Sequence, residues 1–430
     1  MTAEVAIANK LAVALAADSI VTITSGRGDK TYNAANKLFT LSKFHPVGIL
    51  IYGSTTINGI PLEIIIKEFR HQLGRKEFDE LKDYAENFLK FLHTKIPIEK
   101  SDQESNYRAT ANSYCTTLFQ DIRSTCIDKK IMLAAPKDRL EFLAIVRGYV
   151  RQFAEAVKSA GKSPSMEKVT AAALAKLYPN IVERRVSEIF GLFSLPTKDK
   201  RNIIDAIYAA LLSNLLCDGR VGFVIAGFGR RDYYPVIEHC ETDGFFADRM
   251  KLFVFEESKV DSKNQAFVYP LAQRDASVLF MEGVDPLYQD YIDETLRELL
   301  SGLADVTASH YGVSDAKLIA KAKEALTKVA GDFSDNLTSK RIELFASRAL
   351  DAVEFLDKNE MAILAESLVS LTALRQKVSL DIETVGGPID VAVISKGDGF
   401  IWVKRKHYFS AEYNPFYMQK YLDIATKLTK

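Results

Sequence analysis

The residue directly after Met1 is Thr2. An initiator Met is usually trimmed when a small residue follows, so the mature chain is expected to begin at Thr2 with a free α-amine. Such a residue carries nucleophile and base together. The hydroxyl attacks, and the amine, with a pKa of ~8, accepts its proton near neutral pH. A lysine nearby lowers the pKa of that hydroxyl, and a carboxylate holds the lysine in place. A glycine N–H has no side chain in the way and can point at a developing oxyanion. Residues of these types stand at Asp18, Lys37 and Gly53. Taken singly, Thr2 also fits an ordinary second residue, and Asp18 with Lys37 a surface ion pair.

Two hairpins would have to bring this set together. Val5 and Ile7 alternate with small residues, as do Leu11, Val13 and Leu15, which predicts two short strands with Asn9-Lys10 as the turn. Positions summing to 19 then face each other, so Thr2 lies opposite Ala17 and Asp18 one residue beyond. The second hairpin is expected from Lys37 to Leu41, a turn over Ser42 to Pro46, and Val47 to Tyr52. The run VGILIY is apolar on both faces and reads as a central, buried strand. Positions summing to about 90 face each other there, which sets Lys37 near Gly53. If the hairpins are neighbours in one sheet, the N-terminus, Asp18, Lys37 and Gly53 converge. With a glycine opposite, Lys37 is expected to serve chemistry more than stability.

Beyond these hairpins the texture changes. From about Thr56 to Cys217 the chain reads as mostly helical, with apolar residues at helical spacing over Ile57–Leu73, Phe78–Leu92, Tyr107–Cys126, Asp138–Ala160, Ser165–Tyr178 and Lys198–Leu216. Strands are expected again at Gly222–Phe228, Tyr234–Cys240, Lys251–Phe255 and Ser277–Met281. A further helical block covers about Pro286 to Lys377, and in it Asp357 with Glu360 forms a capping-box start. Ile389–Ser395, a Lys-Gly-Asp-Gly turn and Phe400–Val403 predict a closing hairpin. Linkers are expected near Gly161–Ser165 and Gly331–Asn336. Sheet, helices, sheet, helices and a final hairpin are not the alternation of a parallel sheet. They predict an α+β fold of antiparallel sheets covered by helices.

Composition narrows the function classes. The 430 residues are 47% apolar and 26% charged, enough to bury a sizeable core. Fifty-six basic and 56 acidic residues remove any global electrostatic case for nucleic acid or anionic membrane. No stretch approaches the ~18 apolar residues of a membrane helix. The apolar start is broken by Glu4, Asn9 and Lys10 and lacks the basic beginning of a signal peptide, so a soluble cytoplasmic protein is expected. Cys115, Cys126, Cys217 and Cys240 form no CxxC pair and the six histidines form no HxxxH, so no disulfide, metal or cofactor is expected. His239-Cys240 reads as structural. Lys404-Arg405-Lys406-His407 reads as a solvated strand end.

The first ~70 residues resemble the start of a mature proteasome β-type subunit and of its simpler counterpart in the bacterial heat-shock ATP-dependent protease. The likeness rests on Thr2, on LAVALAADS ending in Asp18-Ser19, on NKLF holding Lys37 and on IYGSTTING holding Gly53. It implies Thr2 as nucleophile, Asp18 and Lys37 as its charged pair, Gly53 as oxyanion donor and Thr22 as a substrate-binding residue. Ile51 and Thr55, flanking Gly53, would line a specificity pocket. At the far end a helix, Asp381, Thr384, Gly386-Gly387 and the closing hairpin resemble the family's Asp-x-x-Ser/Thr and Gly-Gly, with Val385 as one extra residue. The family's Ser-Gly has no clear match, and the nearest place, Met281-Glu282-Gly283, lacks a Ser.

The resemblance therefore implies a four-layer αββα N-terminal-nucleophile (Ntn) hydrolase sandwich enlarged by helical insertions. Its parts would be residues 2–73, 197–286 and 351–430, with insertions at 74–196 and 287–350. The implied activity is a threonine peptidase acting on a peptide or protein through an acyl-enzyme, with no cofactor. Small-molecule amide hydrolysis and a non-catalytic proteasome-like scaffold are the alternatives. Rings are the family's habit, so a homo-oligomer is also implied.

Overall fold

The computed structural model describes residues 2–25, 28–32, 35–131, 138–255, 257–379, 385–407, 409–416 and 419. The chain divides into two compact units, Met1–Leu38 with Val260–Lys430, and Phe39–Lys259. All strand pairings within them are antiparallel among the described residues, and the fold class is α+β.

In the first unit, the alternating small and branched residues of Ala3–Asn9 and Val13–Ala17 form the expected N-terminal hairpin. These strands sit inside a five-stranded sheet ordered Ala266–Ala272, Ala3–Asn9, Val13–Ala17, Asp390–Ser395, Gly399–Lys404. On one face Val5, Ile7, Ala14, Ala16 and Val391 share a core with Met361, Ala365 and Leu368 of the helix Lys358–Lys377. Alanines on the strands let that helix lie close, and each fully buried Leu or Met contributes roughly 1.5–3 kcal/mol. The helix starts as expected: Asp357 Oδ1 accepts from Asn359 N at 2.8 Å and Glu360 N at 2.9 Å.

The hairpin register differs from the expected one. Glu4 pairs with Ala17 and Ala8 with Val13, so facing positions sum to 21 and the turn residues are Lys10 and Leu11. Asn9 belongs to the strand. Its Oδ1 accepts from Leu11 N at 2.9 Å, an Asx-type turn, and its Nδ2 donates to the carbonyls of Val353 at 3.0 Å and Leu356 at 2.9 Å. A shift of two in the partner leaves every side chain on its face.

Two elements downstream also differ. Ser277–Met281 is not a strand but part of the helix Asp275–Glu282, whose Ala276 and Ser277 are buried while Phe280 is exposed. Short apolar runs carry both periods, so length and pattern do not separate them. The strand that does occur, Ala266–Ala272, contains Pro270. It lies at the sheet edge, where the missing N–H costs no ladder bond. Gly331–Asn336 is no linker, for it lies within the helix Ala316–Arg341, which pairs with Pro286–His310.

In the second unit the run VGILIY is the strand Val47–Gly53, buried between Val221–Gly227 and Leu38–Thr40. Val236–Phe246 and Arg249–Val254 complete the sheet on the other side. Leu41 N and Ser42 N both donate to the Val47 carbonyl, which closes the turn where the two expected arms meet. The helices Leu62–Leu73 and Leu81–Lys95 bury Ile65, Ile66, Phe69 and Phe88 against this sheet. A separate core holds Tyr107, Tyr114, Phe142, Val182, Phe190 and Ile207, from the helices between Lys100 and Leu212. The stretch Gly161–Ser165 is tied down: Gly161 O accepts from Asn214 N at 2.9 Å, and Ser163 N donates to Leu212 O at 2.9 Å.

Candidate active site

Thr2, Asp18 and Lys37 come together in the first unit. Asp18 follows the second strand, opposite Ala3. Its N–H donates to Ala3 O at 3.1 Å, and its Oδ1 accepts from Ala3 N at 3.2 Å. Oδ1 also accepts from Lys37 Nζ, while Oδ2 accepts from Ile20 N at 3.2 Å and Gly386 N at 3.0 Å. The carboxylate is fully buried with four donors around it. Gly386 has a φ of +148°, which L side chains rarely adopt, and a Cβ there would press on Ile20 Cδ1 at 3.2 Å. The double glycine thus lets backbone N–H reach a buried carboxylate.

Lys37 is 1% exposed. Its ammonium meets two carboxylates in its own unit: Asp18, and Glu4 with Nζ to Oε1 at 3.3 Å. A buried cation in this position is part of the unit's stability as well as of any chemistry, because its removal leaves buried carboxylates uncompensated.

Glu4 is the group that sequence reasoning passed over, having taken it only as a break in an apolar run. It lies two residues from Thr2, which directly precedes the strand Ala3–Asn9, and i and i+2 of an extended chain share a face. Thr2 Oγ1 donates to Glu4 Oε2 at 3.0 Å. Both residues are buried, Thr2 at 4% and Glu4 at 1% exposure. Burial pushes the Glu4 carboxyl up to about 8; Lys37 opposes this, the Asp18 charge adds to it, and the hydrogen bond from Thr2 opposes it again. One cation between two buried carboxylates leaves a net negative charge, and a proton on Glu4 removes it.

The backbone of Thr2 is held as well. Its carbonyl accepts from Gln273 N at 3.0 Å. Gln376 Nε2 donates to Gln273 Oε1 at 2.9 Å, and Gln376 Oε1 accepts from Val385 N at 2.7 Å, next to Gly386. These two glutamines link Thr2 to the loop that holds Asp18. Neither carries a sequence signal, since Gln273 meets Thr2 and Gln376 only across more than a hundred residues.

Thr22 lies in the strand Val21–Ser25, paired with Thr31. Asp381 and Thr384 lie outside the described residues. Met281-Glu282-Gly283 ends a helix, with Glu282 ion-paired to Arg341 at 2.8 Å. Gly53, Ile51 and Thr55 belong to the second unit. Gly53 has a φ of +75°, and a Cβ on it would meet Arg220 O at 2.2 Å, so the local backbone requires a glycine there. Ile51 is buried in that unit's sheet core, and Thr55 O accepts from Leu62 N at 3.0 Å at the start of a helix.

The second unit has a polar cluster of its own. Tyr52 Oη bonds His239 Nε2 and Glu241 Oε1, and Arg220 Nε donates to Glu241 Oε1 at 2.9 Å. His239 stacks on Phe255 at 3.9 Å. The four cysteines are free and buried. Among the described residues no group of three His, Cys, Asp or Glu could hold a metal ion, and no helix is long and apolar enough to cross a membrane. The basic run near the C-terminal strand is partly neutralised by Lys404–Glu366 and Lys406–Asp390 pairs. No protein-family model and no curated protein matches the chain.

Proposed function

We propose that this chain is a proteasome-like threonine peptidase of the cytoplasm, with Thr2 as its N-terminal nucleophile after loss of Met1. The observation that carries the reading is the buried Lys37, ion-paired to Asp18, in the same cluster as the Thr2 hydroxyl. In the proposed reaction Thr2 Oγ attacks a peptide carbonyl, the amine leaves, and water hydrolyses the acyl ester. Gly53 would supply the oxyanion N–H in a four-layer αββα sandwich, with residues 74–196 and 287–350 as insertions. Asp381 and Thr384 would complete the site, and Thr22, Ile51 and Thr55 would contact the substrate. A homo-oligomer fits the same reading. The burial of Thr2 favours, as a second reading, a non-catalytic proteasome-like scaffold.

Intact mass and electrophile labelling separate the two. A peptide epoxyketone needs both the hydroxyl and the free amine of an N-terminal Thr to form its ring adduct. The peptidase loses one Met, takes the adduct on Thr2, and loses label and hydrolysis in Thr2→Ala. A folded chain starting at Thr2 that takes no label, and whose peptide hydrolysis is unchanged by Thr2→Ala, overturns the peptidase reading and leaves the scaffold.

A further inference from the structure

We infer that Glu4 is the proton acceptor for the Thr2 hydroxyl, a catalytic base supplied by the strand that the nucleophile precedes. The inference rests on the reading of Thr2 as nucleophile. Thr2 Oγ1 already donates to Glu4 Oε2 at 3.0 Å, within the reach that general-base transfer requires. The other oxygen, Oε1, stands 3.3 Å from Lys37 Nζ and has no other hydrogen-bonding partner among the described residues. Asp18, by contrast, is saturated with three backbone N–H groups and an ammonium. Glu4 instead has one hydroxyl and a longer ion pair, an arrangement that keeps its basicity.

The proton moves as follows. As the Thr2 Oγ–carbonyl carbon bond forms, the hydroxyl proton passes to Glu4 Oε2 and the carbonyl π pair moves onto its oxygen. When the C–N bond breaks, Glu4 returns that proton to the leaving nitrogen. Water then attacks the ester carbon and gives a proton to Glu4. The ester C–O bond breaks, Thr2 Oγ takes the proton back, and Glu4 is again a carboxylate. Lys37, 3.3 Å from Glu4 Oε1, takes no part in the transfer.

The groups facing Glu4 are Thr2 just before its own strand, Lys37, and Asp18 at the end of the neighbouring strand; a Met-trimmed chain adds the Thr2 amine. The pKa of Glu4, raised to about 8, and that of an α-amine lie close together, so a pH profile of the wild type alone does not separate them. Substitution does.

The rate of peptide hydrolysis by the Met-trimmed chain is measured from pH 5 to 10 in wild type, Glu4→Gln and Glu4→Asp, with folding checked by circular dichroism. The wild-type rate rises with a midpoint near pH 8. Glu4→Gln, which keeps the shape and removes the basicity, loses ~10²-fold or more together with the rising limb, the range for a general base. Glu4→Asp keeps a limb but moves its midpoint. Should Glu4→Gln not fold, an unmoved midpoint in Glu4→Asp refutes the inference and a moved one supports it. Wild-type rate and limb in a folded Glu4→Gln overturn the inference and leave the peptidase reading intact. A wild type that neither hydrolyses nor labels overturns both.

Discussion

Among the described residues two Lys–Asp pairs are fully buried, one in each unit, and they differ in what else surrounds the lysine. Lys251 Nζ reaches Asp243 Oδ2 at 2.8 Å, Tyr114 Oη at 2.7 Å, and the carbonyls of Ala210 at 3.0 Å and Leu215. Asp243 in turn accepts from Cys217 N at 3.0 Å. One charge of each sign is enclosed by neutral dipoles, and the pair joins helices to strands within the second unit. Burial still pulls the Lys251 ammonium below its ordinary range, against the pull of Asp243. Lys37 instead has two carboxylates, and one of these holds a hydroxyl. A balanced pair is a structural joint. An unbalanced one has a proton to give and take.

The sharpest test of that difference removes each lysine. Lys251→Met should cost about 3–5 kcal/mol, the penalty for leaving Asp243 buried and alone, measured by urea unfolding. It should leave Thr2 labelling per folded molecule unchanged. Lys37→Ala should also destabilise, with a deficit that shrinks from pH 8 to pH 5 because protons can replace the missing cation. It should lower turnover ~10²-fold or more. A pH-independent deficit with full turnover would make Lys37 a second Lys251.

Smaller effects probe the surroundings. Gly386→Ala should cost about 1–3 kcal/mol in unfolding free energy, through its backbone angle and the Ile20 contact. It should slow labelling of Thr2 through Asp18. The last change concerns Glu4. Its carboxyl binds a proton up to about pH 8 when folded but only to about 4.5 when unfolded. The folded state therefore holds more protons across that window, and stability falls as pH rises through it. Glu4→Gln should remove the fall. Melting curves should converge near pH 4 and separate as pH rises to 9, with the variant higher.

Much of the frame could be read from local pattern. VGILIY, the closing hairpin and the Asp357 cap each depend on a few neighbouring residues, and each formed where expected. Asp18 reached the N-terminal strand despite a misplaced turn, because a two-residue slip keeps side chains on their faces. What periodicity could not supply was partnership. The edge strand with Pro270 pairs across more than 250 residues with Ala3–Asn9, and Gln273 meets Thr2 at similar range and Gln376 at 103. Glu4 was within reach of a purely local argument, since a charge two residues from Thr2 in a strand must share its face.

The order of strands in the first sheet also bears on synthesis. Phe39–Lys259 is one uninterrupted stretch, and a domain of that kind can fold while the rest of the chain is still being made. The other unit is assembled from both ends of the sequence: Ala3–Asn9 must wait for Ala266–Ala272, and Val13–Ala17 for Asp390–Ser395. Gly386, which grips Asp18, arrives almost as late. Through most of translation Thr2, Glu4, Asp18 and Lys37 are therefore an unfolded leader trailing a finished domain. The charged cluster is assembled only after residue 386 has been made, so a truncated product lacking the last strands carries all four residues and none of their geometry.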